Sequence, residues 1–204
     1  MAYFCSMFTG IVETMATIQA ISTEGTNKRF VLSIDFLQEL KVDQSVAHNG
    51  VCLTIEKINQ ASYEVVAIAE TLSKTDLNQW QVGQKVNIER CMPANGRFDG
   101  HIVQGHVDAT AIVTKIIDNS GSWDLYFEHS ASAGITVPKG SICINGTSLT
   151  VVQSTDTNFS VSIIPYTWEN TTIHQLKEGS IVNIEFDILG KYMQKMLAKH
   201  PQLS

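Results

Sequence analysis

Ser45-Val46-Ala47-His48-Asn49-Gly50-Val51-Cys52-Leu53-Thr54-Ile55 returns later in the chain as Ser141-Ile142-Cys143-Ile144-Asn145-Gly146-Thr147-Ser148-Leu149-Thr150-Val151. The offset is 96 residues, and five of the eleven positions are identical. At the same offset Ile68 to Glu89 matches Ile164 to Glu185 at nine of twenty-two positions, ending in Val-Asn-Ile-Glu in both copies. A weaker third match, at offset 95, sets Thr9-Gly10-Ile11-Val12-Glu13 against Gln104-Gly105-His106-Val107-Asp108. Shared strand composition does not hold an offset across separate segments, so the repeat is read as a tandem duplication. The 204 residues then divide into an extension, 1–6, two homologous domains, 7–97 and 98–186, and a C-terminal helix and tail, 187–204.

Short apolar, β-branched runs recur in both copies, among them Arg29 to Ile34, Tyr63 to Ile68, Lys85 to Glu89 and Ser160 to Ile164. Polar or glycine-bearing turns separate them, which is the pattern of a small closed β-barrel. Asn49-Gly50 and Asn145-Gly146 are tight-turn dipeptides that feed the strands after them. Near the C-terminus the period changes. Ile188, Leu189, Tyr192, Met193, Met196 and Leu197 recur every three to four residues, one face of an amphipathic helix. Its own barrel or the same helix from further copies would cover that stripe.

Composition narrows the function. Hydrophobic residues make up 44% and charged residues 17%, as in an ordinary globular chain. No apolar run approaches the roughly 20 residues that span a bilayer, and the start lacks the basic-then-apolar pattern of a secretory signal. The expectation is a cytoplasmic protein without a membrane partner. With a net charge of −6, 14 Lys plus Arg and no basic run, nucleic acid is a poor partner. Cys5, Cys52, Cys91 and Cys143 form no C-x-x-C pair, so neither a zinc knuckle nor a dithiol redox motif is expected. No dinucleotide fingerprint, P-loop or nucleophile elbow is present. A small neutral ligand fits best.

Strand alternation places Leu53 and Ile55 on one side with Cys52 and Thr54 on the other, and Leu149 and Val151 opposite Ser148 and Thr150. Each half thus offers a thiol or hydroxyl pair away from its aliphatic face. Spacing alone does not make Cys52 catalytic, because cysteines in such strands are usually inert filling. His101 and His106, five apart in an extended stretch, point to opposite faces and do not converge on one metal. Either fits an acid or base near neutral pH, or an imidazole bonded for structural reasons. Lys139, beside Gly140, fits an anion or carbonyl contact or a solvated turn.

The segments Met7 to Glu13, Asn49 to Thr54, Glu70-Thr71-Leu72, Val86 to Arg90, Gly100 to Asp108, Lys139-Gly140-Ser141, Gly146 to Val151 and Asn183 to Asp187 together resemble the riboflavin synthase family, from Met7 to about Tyr192. The resemblance implies an all-β chain of two tandem six-stranded antiparallel Greek-key β-barrels with a C-terminal α-helix, assembled as a homotrimer through those helices. It implies one 6,7-dimethyl-8-ribityllumazine per barrel, and a reactive site where the N-terminal barrel of one chain faces the C-terminal barrel of its neighbour. The implied reaction, the last step of riboflavin biosynthesis, is a dismutation that needs no metal or cofactor. A four-carbon unit passes between two lumazines to give riboflavin and 5-amino-6-(D-ribitylamino)uracil. A lumazine synthase is a further candidate partner.

By the same resemblance Cys52, His106, Ser148 and Asp187 match catalytic positions, with Thr54 and Thr150 as close supports and Lys139 as a ligand contact. In the N-terminal half the remaining substrate contacts fall on Gly10, Ile11 and Val12, on Leu53, and on Val66, Ala67, Ile68, Ala69, Glu70 and Thr71. In the C-terminal half they fall on Gly105 and Val107, on Leu149, and on Ile164, Pro165, Tyr166, Thr167, Trp168 and Glu169. Some features depart from the family pattern: Met1 to Ser6 precede the usual start, Asp99 stands where glycine is frequent, and Asn145 replaces a common aspartate. Tyr166 and Trp168 are bulky beside a ligand segment. Either Met7 is the original start or the extension folds away from the site. The rival reading is a non-catalytic lumazine or flavin carrier of the same fold; retention of Cys52, His106, Ser148 and both threonines argues for the enzyme.

Overall fold

The computed structural model describes residues 7–199, so the extension 1–6 and the end of the tail lie outside the described residues. Strands β1 (Thr14–Glu24), β2 (Asn27–Ser33), β3 (Ser45–His48), β4 (Val51–Ile58), β5 (Tyr63–Ala67) and β6 (Lys85–Arg90) close a barrel in the order β1-β2-β5-β4-β3-β6. Strands β7 (Ala109–Asp118), β8 (Trp123–Glu128), β9 (Ser141–Ile144), β10 (Thr147–Ser154), β11 (Asn158–Ile163) and β12 (Ile181–Phe186) close a second in the equivalent order β7-β8-β11-β10-β9-β12. The expected all-β, two-barrel architecture is present, every pairing antiparallel. Two short helices follow β5 and β11: α1 (Ala69–Lys74) and α2 (Pro165–Asn170). Six residues are too few for a helical period to emerge from sequence.

Each barrel is filled by its inward-facing residues, such as Ile18, Phe30, Leu32, Ile55 and Val65 in the first and Val113, Leu125, Ile142, Val151 and Val161 in the second, all fully buried. Each contributes about 1.5–3 kcal/mol of burial. His48 interrupts the first core where the second has Ile144. Its Nδ1 bonds to the Val46 carbonyl and its Nε2 to the Tyr63 hydroxyl, both at 3.0 Å. Burial pushes the imidazole down to about 4, so it is neutral in the folded protein.

The barrels meet turn to turn. Asn49 and Asn145 have φ of 46° and 45°, and Gly50 and Gly146 both have φ of 78°, the left-handed pair that a type I′ hairpin demands. A Cβ on Gly50 would stand 2.8 Å from the Gly146 nitrogen, so the contact also needs glycine. Around the turns runs a two-fold-like set of buried bonds. Asn87 N donates to Asn49 Oδ1 and Asn87 Nδ2 to the Asn145 carbonyl; Asn183 N donates to Asn145 Oδ1 and Asn183 Nδ2 to the Asn49 carbonyl. Asn145 thus does the same work as Asn49.

Symmetry fails at one pair. Asp76 Oδ1 accepts from Asn183 Nδ2 at 2.8 Å and Trp80 Nε1 at 3.0 Å, while Asp76 N donates to Asn183 Oδ1 at 2.8 Å. In the other half Thr172 N donates to Asn87 Oδ1 at 2.8 Å, and no carboxylate is present. Burial raises the Asp76 carboxyl to about 6 against the pull of its hydrogen bonds.

The C-terminal helix α3 (Ile188–Lys199) buries none of its residues. Leu189, Tyr192, Met193 and Met196 are 62–66% exposed. An apolar groove of about 290 Å³ lies between α3 and the stretch bearing Ile135 and Val137, and most of the stripe stays exposed. No helix among the described residues is long and apolar enough to cross a membrane.

Candidate active site

Each barrel receives its entry segment from across the interface. Phe8 and Val103 form an antiparallel bridge, packed with Ala47 and Cys143 into a small apolar cluster. Beyond it the Gly10 carbonyl accepts from Ser148 N at 2.7 Å, and the Gly105 carbonyl accepts from Cys52 N at 2.9 Å. Both glycines have positive φ, 77° and 76°. A Cβ would lie 2.7 Å from Ser148 N at Gly10 and 2.6 Å from Cys52 Cβ at Gly105. Residues of the N-terminal segment therefore serve the C-terminal barrel, and residues 104–106 serve the N-terminal barrel.

Two buried carboxylates shape these segments. Glu89 Oε1 accepts from Thr9 N at 2.6 Å and Thr9 Oγ1 at 2.9 Å, and Glu89 Oε2 accepts from Gly10 N at 2.9 Å. Glu185 accepts from Gln104 N at 2.7 Å and His106 N at 2.9 Å. Desolvation raises both carboxyls, Glu89 to about 7.

In the N-terminal barrel a pocket of about 300 Å³ is lined by Cys52, Glu70, Thr71, Lys74, Gly105, His106 and Val107, with Val51 and Thr75 behind. The alternation expected along β4 holds: Val51, Leu53 and Ile55 are buried, Cys52 half-buried and Thr54 exposed. Burial pushes the Cys52 thiol up, with a smaller opposing pull from Ser45. The thiol is protonated at neutral pH and reacts only with a base at hand. The exposed His106 side chain lines the same pocket.

The C-terminal barrel presents Ser148 in the equivalent place. Its Oγ lies 2.7 Å from His101 Nδ1. Burial depresses the His101 imidazole, opposed by the charge of Asp187, and in the tautomer protonated at Nε2 the neutral ring accepts from the Ser148 hydroxyl and can act as its base. Spacing separated the two histidines correctly, but gave no sign that His101 meets Ser148. Asp187 caps the last helix, Oδ1 accepting from Leu189 N at 3.0 Å, and acts on His101 through charge.

The remaining expected contacts divide by exposure. Leu53 and Ala67 point into the barrel core, so they offer only backbone to a ligand, and Leu149 packs against the second core. Ile11, Ile68, Ala69, Glu70, Thr150, Ile164, Pro165, Tyr166 and Glu169 are exposed, while Val12, Val66, Thr71, Val107 and Thr167 are half-buried. Trp168 stacks on Trp123, centroids 4.2 Å apart and planes 7° from parallel, which commits its ring to the barrel. Lys139 is exposed at a φ of 68°, its N–H donated to the Val151 carbonyl. Among the described residues no three metal-ligating side chains cluster.

Cys52 and His106 line a pocket of the first barrel and Ser148 meets His101 on the second, and the two closed barrels define a duplicated β-barrel protein. Both halves match the lumazine binding domain family, at residues 9–91 and 104–187. The chain is 41% identical to riboflavin synthase of Bacillus amyloliquefaciens over 96% of this chain and 92% of that protein. It is 38% identical to riboflavin synthase of Escherichia coli strain K12 over 89% of this chain and 87% of that one. The chain belongs to the riboflavin synthase family, a family of enzymes. Its fold is also similar to LumP in crystal structures complexed with 6,7-dimethyl-8-(1'-D-ribityl) lumazine and with riboflavin. Both have a TM-score of 0.80 at 23% identity; the lumazine complex covers 88% of this chain and 98% of LumP.

Proposed function

We propose that the chain converts two molecules of 6,7-dimethyl-8-ribityllumazine to riboflavin and 5-amino-6-(D-ribitylamino)uracil by transfer of a four-carbon unit. The observation that carries this is the pair of matched sites, Cys52 with His106 and Ser148 with His101, in a chain about 40% identical to riboflavin synthases over nearly its whole length. The two products together contain every atom of the two substrates, so the overall reaction calls for no outside oxidant. Holding two large rings in a reactive stack supplies much of the rate, since orientation contributes about 7–11 kcal/mol in favourable cases. Donor and acceptor are one molecule in two roles, and the unequal sites suit that. Ser148 has an imidazole on its hydroxyl; Cys52 keeps its proton until a base such as His106 removes it. Three copies associate through α3, so that the N-terminal barrel of one chain faces the C-terminal barrel of the next. Association with a lumazine synthase would supply the substrate.

Purified protein without added metal or cofactor is mixed with the lumazine, and riboflavin is followed by chromatography. About one riboflavin per two lumazines, and a rate at least about ten-fold lower in Ser148→Ala, are expected. Tight lumazine binding without conversion would reject the enzyme in favour of a carrier.

A further inference from the structure

We propose that Glu89 and Glu185 are positioning residues, each reaching from one barrel to set the nucleophile of the other. Glu89 stands on β6 of the first barrel and holds the amides of Thr9 and Gly10; the Gly10 carbonyl then takes the amide of Ser148 in the second. Glu185 stands on β12 of the second barrel and holds the amides of Gln104 and His106; the Gly105 carbonyl between them takes the amide of Cys52 in the first. Each chain of contacts runs carboxylate, peptide, nucleophile, and each crosses the interface once. The close approach of Gly10 and Gly105 leaves no slack, so a shift of the peptide is passed to Ser148 or Cys52. Glu185 also holds the backbone of His106, which ties the imidazole and the thiol of one site to the same group. The inference rests on the riboflavin synthase reading, because it assigns these carboxylates a part in that reaction.

All donors to Glu89 are N–H or O–H groups, which suit an ionised acceptor with two oxygens free. The titratable groups around it are Glu13, which raises its proton affinity, and the neutral thiol of Cys143, on which it acts in turn; Arg90 beside it is engaged by Glu13 and Glu39. Around Glu185 lie Lys191 and Asp108, with Cys52 and Cys143 within its field. The nearby lysine favours the charged form of Glu185. As pH falls through about 7, Glu89 takes up a proton and its hydroxyl oxygen becomes a poorer acceptor, so the Ser148 half loosens.

Glu89→Gln and Glu185→Gln keep the length of the side chain but replace one acceptor with a donor. With 6,7-dimethyl-8-ribityllumazine, kcat should fall by about 10- to 100-fold while KM changes less than about three-fold. Circular dichroism should remain that of the wild type. A kcat within about two-fold of wild type in both folded variants would overturn the proposal, as would a loss carried by KM alone. If neither variant is soluble, amide NMR of the wild type decides. Thr9, Gly10 and Ser148 should titrate in step with a midpoint near 7, and a Ser148 amide that stays fixed while Gly10 moves refutes the relay. This arm needs no turnover, so a wild-type protein that binds lumazine without converting it defeats the functional reading and still leaves the relay decided.

Discussion

Replacing Asp76 by Asn isolates a single ionisation at the junction of the barrels. Asp76 is 6% exposed, and burial raises its carboxyl from 3.8 to about 6. The folded state therefore binds the proton more tightly than the unfolded chain does. Stability from this group is fully present below about pH 3.8 and is lost as pH rises through about 6. At about 1.4 kcal/mol per pKa unit the whole span is about 3 kcal/mol, and between pH about 4 and about 8 roughly 2–3 kcal/mol of it is lost. His48 acts in the opposite direction. Its pKa is depressed from 6.5 to about 4, so its contribution is present above about 6.5 and is lost as pH falls toward 4. The two oppose each other in the wild type, and Glu89, raised to about 7, adds a loss of its own over the same range, so a simple pH scan separates none of them. Urea unfolding of wild type and Asp76→Asn at one protein concentration isolates the Asp76 part. The difference in unfolding free energy, wild type minus variant, should decrease by about 2–3 kcal/mol from pH about 4 to about 8, whatever its offset. A difference constant to about 0.5 kcal/mol, or one that grows with pH, would show that Asp76 is not held in a desolvating environment.

Three further outcomes follow from the same geometry. His48→Ile, which copies the second barrel, should remove an acid destabilisation of up to about 3 kcal/mol between pH about 6.5 and 4; an unchanged acid limb in urea unfolding would count against a buried neutral imidazole. Gly179 has a φ of 86° and open space within 4 Å of where a Cβ would stand, whereas Gly105 abuts Cys52, so Gly179→Ala should cost about 1–2 kcal/mol and Gly105→Ala about 1–3 kcal/mol more, with a loss of kcat; equal costs in urea unfolding would sink the close-approach argument. Deleting residues 187–204 removes the exposed stripe of α3 and should give smaller species in sedimentation with little activity, and an intact trimer would show that the helix is not the joint.

The architecture was legible because the repeat is local and the alternation in β4 and β10 is regular. The neighbours of Cys52 and Thr54 alone set both on the outer face. Strand alternation alone does not disclose the burial of Asn87 and Glu89, for a physical reason. Val-Asn-Ile-Glu reads as a strand with a wet polar face, yet Asn87 and Glu89 are 2% and 6% exposed, and Asn183 and Glu185 are 1% and 2%. The face that ought to meet water meets the other barrel. Identity of the polar residues in both copies was the available signal, since a solvated face has no need of the same Asn and Glu twice. The contact of His101 with Ser148 spans 47 positions and leaves no periodic trace.

The exchange of entry segments also bears on how such a chain arose. Ser148 is tied to Gly10 and Cys52 to Gly105, so neither barrel completes its own site. A single barrel with this sequence pattern would leave one peptide carbonyl and one nucleophile amide without partners, and a second copy turned about a two-fold axis would satisfy both. The duplicated chain thus preserves the geometry of a symmetric dimer within one polypeptide. Once the halves were joined, each position was free to diverge alone. Cys52 against Ser148, Asp76 against Thr172 and His48 against Ile144 mark where the two halves now differ.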